Sequence, residues 1–130
     1  MCNIDAALRE FVRVRAAGFC EYCRISEQLT LAEHEIDHVI AVKHGGRTAV
    51  ENLALCCGVC NRFKGSDIAS VEPETGQLTP LFDPRVDCWD DHYQLRDGEI
   101  LALTAKGRVT VRLLRMNSAR RIKERQLLER

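Results

Sequence analysis

The sequence predicts a small α+β fold braced by a four-cysteine metal site, on three observations. Cys20-x-x-Cys23 and Cys57-x-x-Cys60 are two pairs at the spacing that lets each bind one Zn²⁺ from a tight turn. Apolar residues recur at helical spacing near the N-terminus, and the last stretch is rich in helix formers. Between and after the cysteine pairs lie short β-branched segments and an Asp97-Gly98 turn suited to a hairpin. At 130 residues the chain fits one domain with a modest core, a size at which a structural metal adds useful stability.

The elements follow in order. Residues 4–17 read as a first helix: Ile4, Leu8, Phe11, Val12 and Arg15 recur at helix spacing, with Asn3 placed to cap it and Gly18 to stop it. Phe19 to Tyr22 forms the first cysteine knuckle. Residues 34–42 are short and β-branched and predict a strand, with His44-Gly45-Gly46 turning out of it. Asn52 to Leu55 leads to the second knuckle, and a short helix is expected over 61–69. Pro73, Pro80 and Pro84, with Glu74-Thr75-Gly76, predict an irregular connection over 71–88. Tyr93–Leu95 and Glu99–Leu103 flank Arg96-Asp97-Gly98 as a C-terminal hairpin. Over 105–116, Val109, Val111 and Leu113 alternate as in a strand, whereas Val109, Leu113 and Met116 fit a helix face; the helix is the reading adopted. Residues 118–129 predict a last helix.

Composition is that of a folded globular chain. No apolar run approaches the ~20 residues a bilayer span needs and the N-terminus lacks a signal-peptide core, so no membrane role is expected and the cytoplasm is the expected location. The seven cysteines then read as metal ligands and thiols rather than a disulfide framework. Cys2, Cys56 and Cys88 are left over, with Cys56 placed to be an alternative ligand. The formal net charge of zero conceals an asymmetry. Residues 66–99 carry nine acidic and two basic side chains; residues 106–130 carry nine basic and two acidic ones. That basic segment either steers a polyanion or forms a solvated helix face paired with the acidic stretch.

A closed four-sulfur site leaves no open coordination position, so its Zn²⁺ is expected to be structural. Asp37, His38, Asn52 and Asn61 lie between the cysteine pairs and just past them. Such residues suit a hard, oxygen-preferring cation and a proton acceptor. In a flat strand Asp37 and His38 point to opposite faces, so a twist, a bulge or a strand end is needed for both to line one cleft. His34 reads as a surface residue, His44 as either a phosphate contact or turn packing, and Trp89 and His92 as packing.

The run Glu35-Ile36-Asp37-His38-Val39-Ile40-Ala41, then His44-Gly45-Gly46, Glu51-Asn52-Leu53 and Cys57-Gly-Val-Cys60-Asn61-Arg62-Phe63-Lys64 resembles the HNH endonuclease family. It resembles the branch in which a zinc site braces the ββα-metal motif. The resemblance implies a treble-clef-like core over 19–65, a C-terminal extension over 66–130, and an H-N-N variant of the motif. It implies His38 as general base, Asp37 and Asn61 as ligands of the catalytic ion, and Asn52 as the residue that orders the loop and orients the base. An amide at position 61 fits Mg²⁺ or Mn²⁺ better than an imidazole-preferring ion. The implied reaction is DNA phosphodiester hydrolysis leaving 5′-phosphate ends, with Lys64, Arg62, Arg47 and Lys43 as candidate phosphate contacts. The alternatives are a zinc-braced nucleic-acid-binding module without catalysis and a purely structural zinc protein. Oligomeric state and site specificity are not legible.

Overall fold

The computed structural model describes residues 4–128. Helix α1 spans Ala6–Ala16, starting later than expected because Asp5 caps it, its carboxylate accepting the Leu8 N–H at 2.8 Å. Asn3, the expected cap, lies outside the described residues. The helix ends at Ala17, which takes a left-handed φ of 54°. Strands β1 (Glu35–His38) and β2 (Leu53–Cys56) pair antiparallel, with Asp37 opposite Ala54 and His38 opposite Leu53. Every residue of β2 is buried because the strand is covered on both faces. Leu53 and Leu55 pack with Leu8, Val12 and Ala16 of α1, while Ala54 and Cys56 face the core that holds the cysteines.

The first strand is shorter than the 34–42 expected, and Asn52 is the reason. Its Oδ1 accepts the Ile40 N–H, and its Nδ2 donates to the carbonyls of Ile40 and Arg47, each at 2.9 Å. These bonds take the backbone groups a strand would have used and fold the chain into a 3₁₀ turn over Val42–His44. Gly46 passes so close to Ile40 that a Cβ there would sit 1.7 Å from the carbonyl oxygen, so only glycine fits.

Helix α2 spans Gly58–Lys64, earlier than the 61–69 expected, because Cys57 acts as its cap. The Cys57 sulfur accepts the Cys60 N–H at 3.4 Å, and Gly65 ends the helix. Where an irregular connection was expected, strands β3 (Ala69–Val71) and β4 (Leu78–Pro80) pair antiparallel. Glu72, wholly buried, makes that turn: its carboxylate accepts the N–H groups of Glu74 and Thr75 and pairs with Arg108.

Helix α3 (Trp89–His92) leads into β5 (Tyr93–Arg96), paired antiparallel with β6 (Glu99–Ala102). Asp97 and Gly98 between them both take positive φ, 50° and 80°. Helices α4 (Ala105–Leu113) and α5 (Ala119–Leu128) complete the described chain. Phe82 packs edge-on against Tyr93 in the core, Trp89 lies tilted against the same ring, and the Trp89 indole N–H donates to the Tyr22 carbonyl at 2.9 Å. The C-terminal half therefore packs on the first knuckle. Among the described residues no helix is long and apolar enough to cross a membrane.

Candidate metal centre and nuclease site

Cys20, Cys23, Cys57 and Cys60 are buried, and their four sulfurs lie within 4.8 Å of one another. The Cys23 and Cys57 sulfurs are 3.7 Å apart. Tetrahedral zinc at a Zn–S distance of about 2.3 Å puts sulfurs roughly 3.8 Å apart, so the spacing fits that ion. Each pair is built alike: the Cys23 N–H faces the Cys20 sulfur at 3.5 Å as the Cys60 N–H faces that of Cys57. Arg24 closes the first knuckle with a left-handed φ of 68°. Burial opposes charge on Cys20, and hydrogen bonds from the surrounding sulfurs more than offset it, holding that thiol well below its ordinary range. The same sulfurs push Cys23 and Cys60 up. A fully ionised set therefore calls for a cation at its centre. Cys56 bonds the Cys57 carbonyl rather than completing the tetrad.

Two arginines expected on a solvated or polyanion-facing helix are instead buried beside the cysteines. Arg121 is 7% exposed and Arg125 1%. The Arg125 guanidinium donates to the carbonyls of Gly98 (2.6 Å), Met116 (2.7 Å) and Cys23 (3.3 Å) and to Asn117 Oδ1 (3.2 Å). Burial lowers its proton affinity while charge at Cys23 and Cys60 opposes the loss. Arg121 pairs with Glu124 at 2.6 Å; burial would lower it, but Glu124 and Cys57 outweigh burial and raise it. Helix α5 thus sets positive charge against the thiolates. The sequence carried a signal for this, since the two arginines are spaced i, i+4 on one helix face.

Asp37 points inward, as the regular β1–β2 register requires, and no bulge turns it toward His38. It is 5% exposed and accepts the Tyr22 hydroxyl at 2.8 Å on Oδ2. Lys64 of α2 pairs with the same oxygen at 3.2 Å and also donates to the Val39 carbonyl at 3.1 Å. Burial pushes the Asp37 carboxyl above its ordinary range against the pull of Lys64 and Tyr22. Lys64 itself is only 2% exposed, so it is a buried counter-ion and not the exposed phosphate contact expected of it.

His38 lies on the opposite strand face, half-buried, with its Nε2 2.9 Å from the Thr48 hydroxyl. Thr48 gave no sequence signal. Asn52 braces the loop that carries Thr48, and its backbone carbonyl also accepts the Val39 N–H. Asn61, half-buried on α2, makes no side-chain hydrogen bond among the described residues, which leaves its amide available to a ligand. Lys43, His44, Arg47 and Arg62 are exposed, and Arg47 pairs with Glu51 at 3.6 Å. His34 is not the surface residue expected: it is buried, its Nε2 3.0 Å from the Ile25 carbonyl. His92 and Trp89 belong to the packing cluster.

Neither a curated protein nor a solved structure matches the chain. Residues 20–67, from the first zinc-type cysteine to just past Lys64, match the family model described as HNH endonuclease, and the matched segment carries both cysteine pairs, Asp37, His38, Asn52 and Asn61.

Proposed function

We propose that the protein is a metal-dependent endonuclease hydrolysing DNA phosphodiester bonds, with His38 as general base and one divalent ion, Mg²⁺ or Mn²⁺, held by Asp37 and Asn61. The observation that carries this reading is the HNH match over the segment in which Asn52 pins the loop bearing Thr48 against His38. In this reading the tautomer with Nε2–H donated to Thr48 leaves Nδ1 of His38 to take the proton from the attacking water. In-line attack breaks the P–O3′ bond and leaves a 5′-phosphate. The divalent ion supplies charge stabilisation to the leaving oxygen when bound. Asp37 lies on the strand face opposite His38 with its charge balanced by Lys64, so in this reading a divalent ion must displace that ammonium from the Asp37 oxygens.

In this reading the chain is one domain, with a treble-clef-like ββα-metal core over 19–65 made of β1, β2 and α2, and an extension over 66–130. Structural zinc fixes both knuckles, and Asn61 directly follows the ligand Cys60. Removing zinc therefore abolishes cleavage although zinc does no chemistry. The test is plasmid nicking by zinc-loaded protein with and without Mg²⁺. Nicking that appears with Mg²⁺ or Mn²⁺ and disappears without it supports the enzyme. Metal-independent DNA binding with no cutting under any divalent ion supports the non-catalytic binding module instead.

A further inference from the structure

The basic segment after residue 105 is not one surface. Lys106 is paired with Asp87, Arg108 with Glu72 and Glu74, and Arg120 and Arg121 with Glu124; Arg125 is buried. Arg112 and Arg115 at the end of α4 are exposed and make no ion pair among the described residues. They line a groove of about 430 Å³ together with Phe63, Ser70 and Val71, and no carboxylate lines it. The Arg115 guanidinium lies over the Phe63 ring at 4.4 Å from its centre, and that of Arg62, also exposed and with no ion pair among the described residues, lies over the same ring at 4.9 Å. Two cations gathered on one aromatic ring repel each other and are held there by its quadrupole, with Arg112 adding a third positive charge to the groove. An anion such as a phosphate seated among them offsets that repulsion.

The backbone at Arg115 points the same way. Helix α4 ends with the Met116 N–H on the Val111 carbonyl and the Arg115 N–H on that of Arg112, which puts Arg115 at the position where glycine is favoured. Its φ is 52°, so an arginine there is strained for no benefit to the helix end. Arg62 and Phe63 follow Asn61 on the same helix, α2.

We infer that Arg112 and Arg115, which line this groove, together with Arg62 over the same Phe63 ring, grip the phosphate backbone of duplex DNA. The inference rests on the nuclease reading for its ligand but not for its measurement. Binding of zinc-loaded protein to a fluorescent DNA duplex is followed by anisotropy at several salt concentrations, with Ca²⁺ replacing Mg²⁺ so that the duplex stays intact. Each lost phosphate contact lowers the slope of log affinity against log salt by about 0.9. The Arg112→Gln/Arg115→Gly variant is expected to lose about two from that slope, and Arg96→Gln, an exposed arginine on the hairpin, none. Glycine suits the backbone at position 115, so the variant should melt no lower than the parent; Arg112→Gln alone repeats the test if it does. An unchanged slope in a normally melting variant overturns the inference, as does a slope loss on duplex RNA but not on DNA. If the wild type never nicks plasmid with Mg²⁺ while the slope falls as expected, the nuclease reading fails and the groove stands.

Discussion

Replacing Lys64 by methionine tests the buried pair at the heart of the site. The Lys64 and Asp37 side chains are 3% and 5% exposed and 3.2 Å apart. At an effective dielectric of ~20 their attraction is roughly 5 kcal/mol, and removing one partner of such a pair costs about 3–5 kcal/mol because the other charge is stranded. With an unfolding entropy of ~2.1 cal/mol/K per residue, that is a fall in melting temperature of roughly 11–18 °C for a chain of this size. Asp37→Asn/Lys64→Met removes both charges, so the double variant should lose much less than the two singles together. Thermal melts of zinc-loaded protein measure this cycle. If Asp37 also takes a divalent cation, millimolar Mg²⁺ should raise the melting temperature of Lys64→Met and leave Asp37→Asn unmoved. Strictly additive singles, or a Lys64→Met loss under 1 kcal/mol, would refute the reasoning.

Three further outcomes are expected. Arg125→Met removes a guanidinium bonded to three carbonyls and set beside the thiolates, and should cost about 3–5 kcal/mol and speed zinc release to a chromogenic chelator; unchanged release would show that α5 does not support the metal centre. Thr48→Val should lower kcat about five- to tenfold with the Kd for DNA unchanged, since one hydrogen bond of ~1 kcal/mol orients His38; an unaltered kcat removes Thr48 from the mechanism. Burial would raise Asp87, but the Asp83 N–H and Lys106 hold it below the ordinary carboxylate range. Its contribution is therefore complete above an unfolded value of about 4 and is lost as pH falls through the folded one, so Asp87→Asn should flatten the loss of melting temperature in acid. Asp37 is raised and runs the other way, its ionisation lowering stability as pH rises from the unfolded to the folded value.

The metal centre was legible because a C-x-x-C turn fixes two sulfurs by covalent geometry, and no tertiary contact is needed to see it. Asn52 and the glycine pair were legible as a motif, while their physical duty, bonding and clearing Ile40, shows only in three dimensions. Lys64 reads as exposed in sequence when its helix is taken to begin at Asn61. Begun at Gly58, the helix puts Cys60 and Lys64 on one face at i, i+4, and a buried Cys60 then implies a buried Lys64. Arg121 and Arg125 were hidden for a related reason: charge composition describes a segment, whereas burial follows a face. The β3–β4 turn was out of reach because a buried carboxylate, Glu72, organises it in place of turn residues. Thr48 is a loop residue whose meaning depends wholly on what lies across from it.

His38 carries the proposed chemistry. Nicking of supercoiled plasmid in Mg²⁺ by wild type and by His38→Ala, at matched zinc content and matched DNA affinity, compares the base with its absence. General-base catalysis contributes about 10²–10⁴-fold, so His38→Ala is predicted to lose that much rate while keeping its zinc and its Kd. Wild-type nicking rates in His38→Ala would contradict the account.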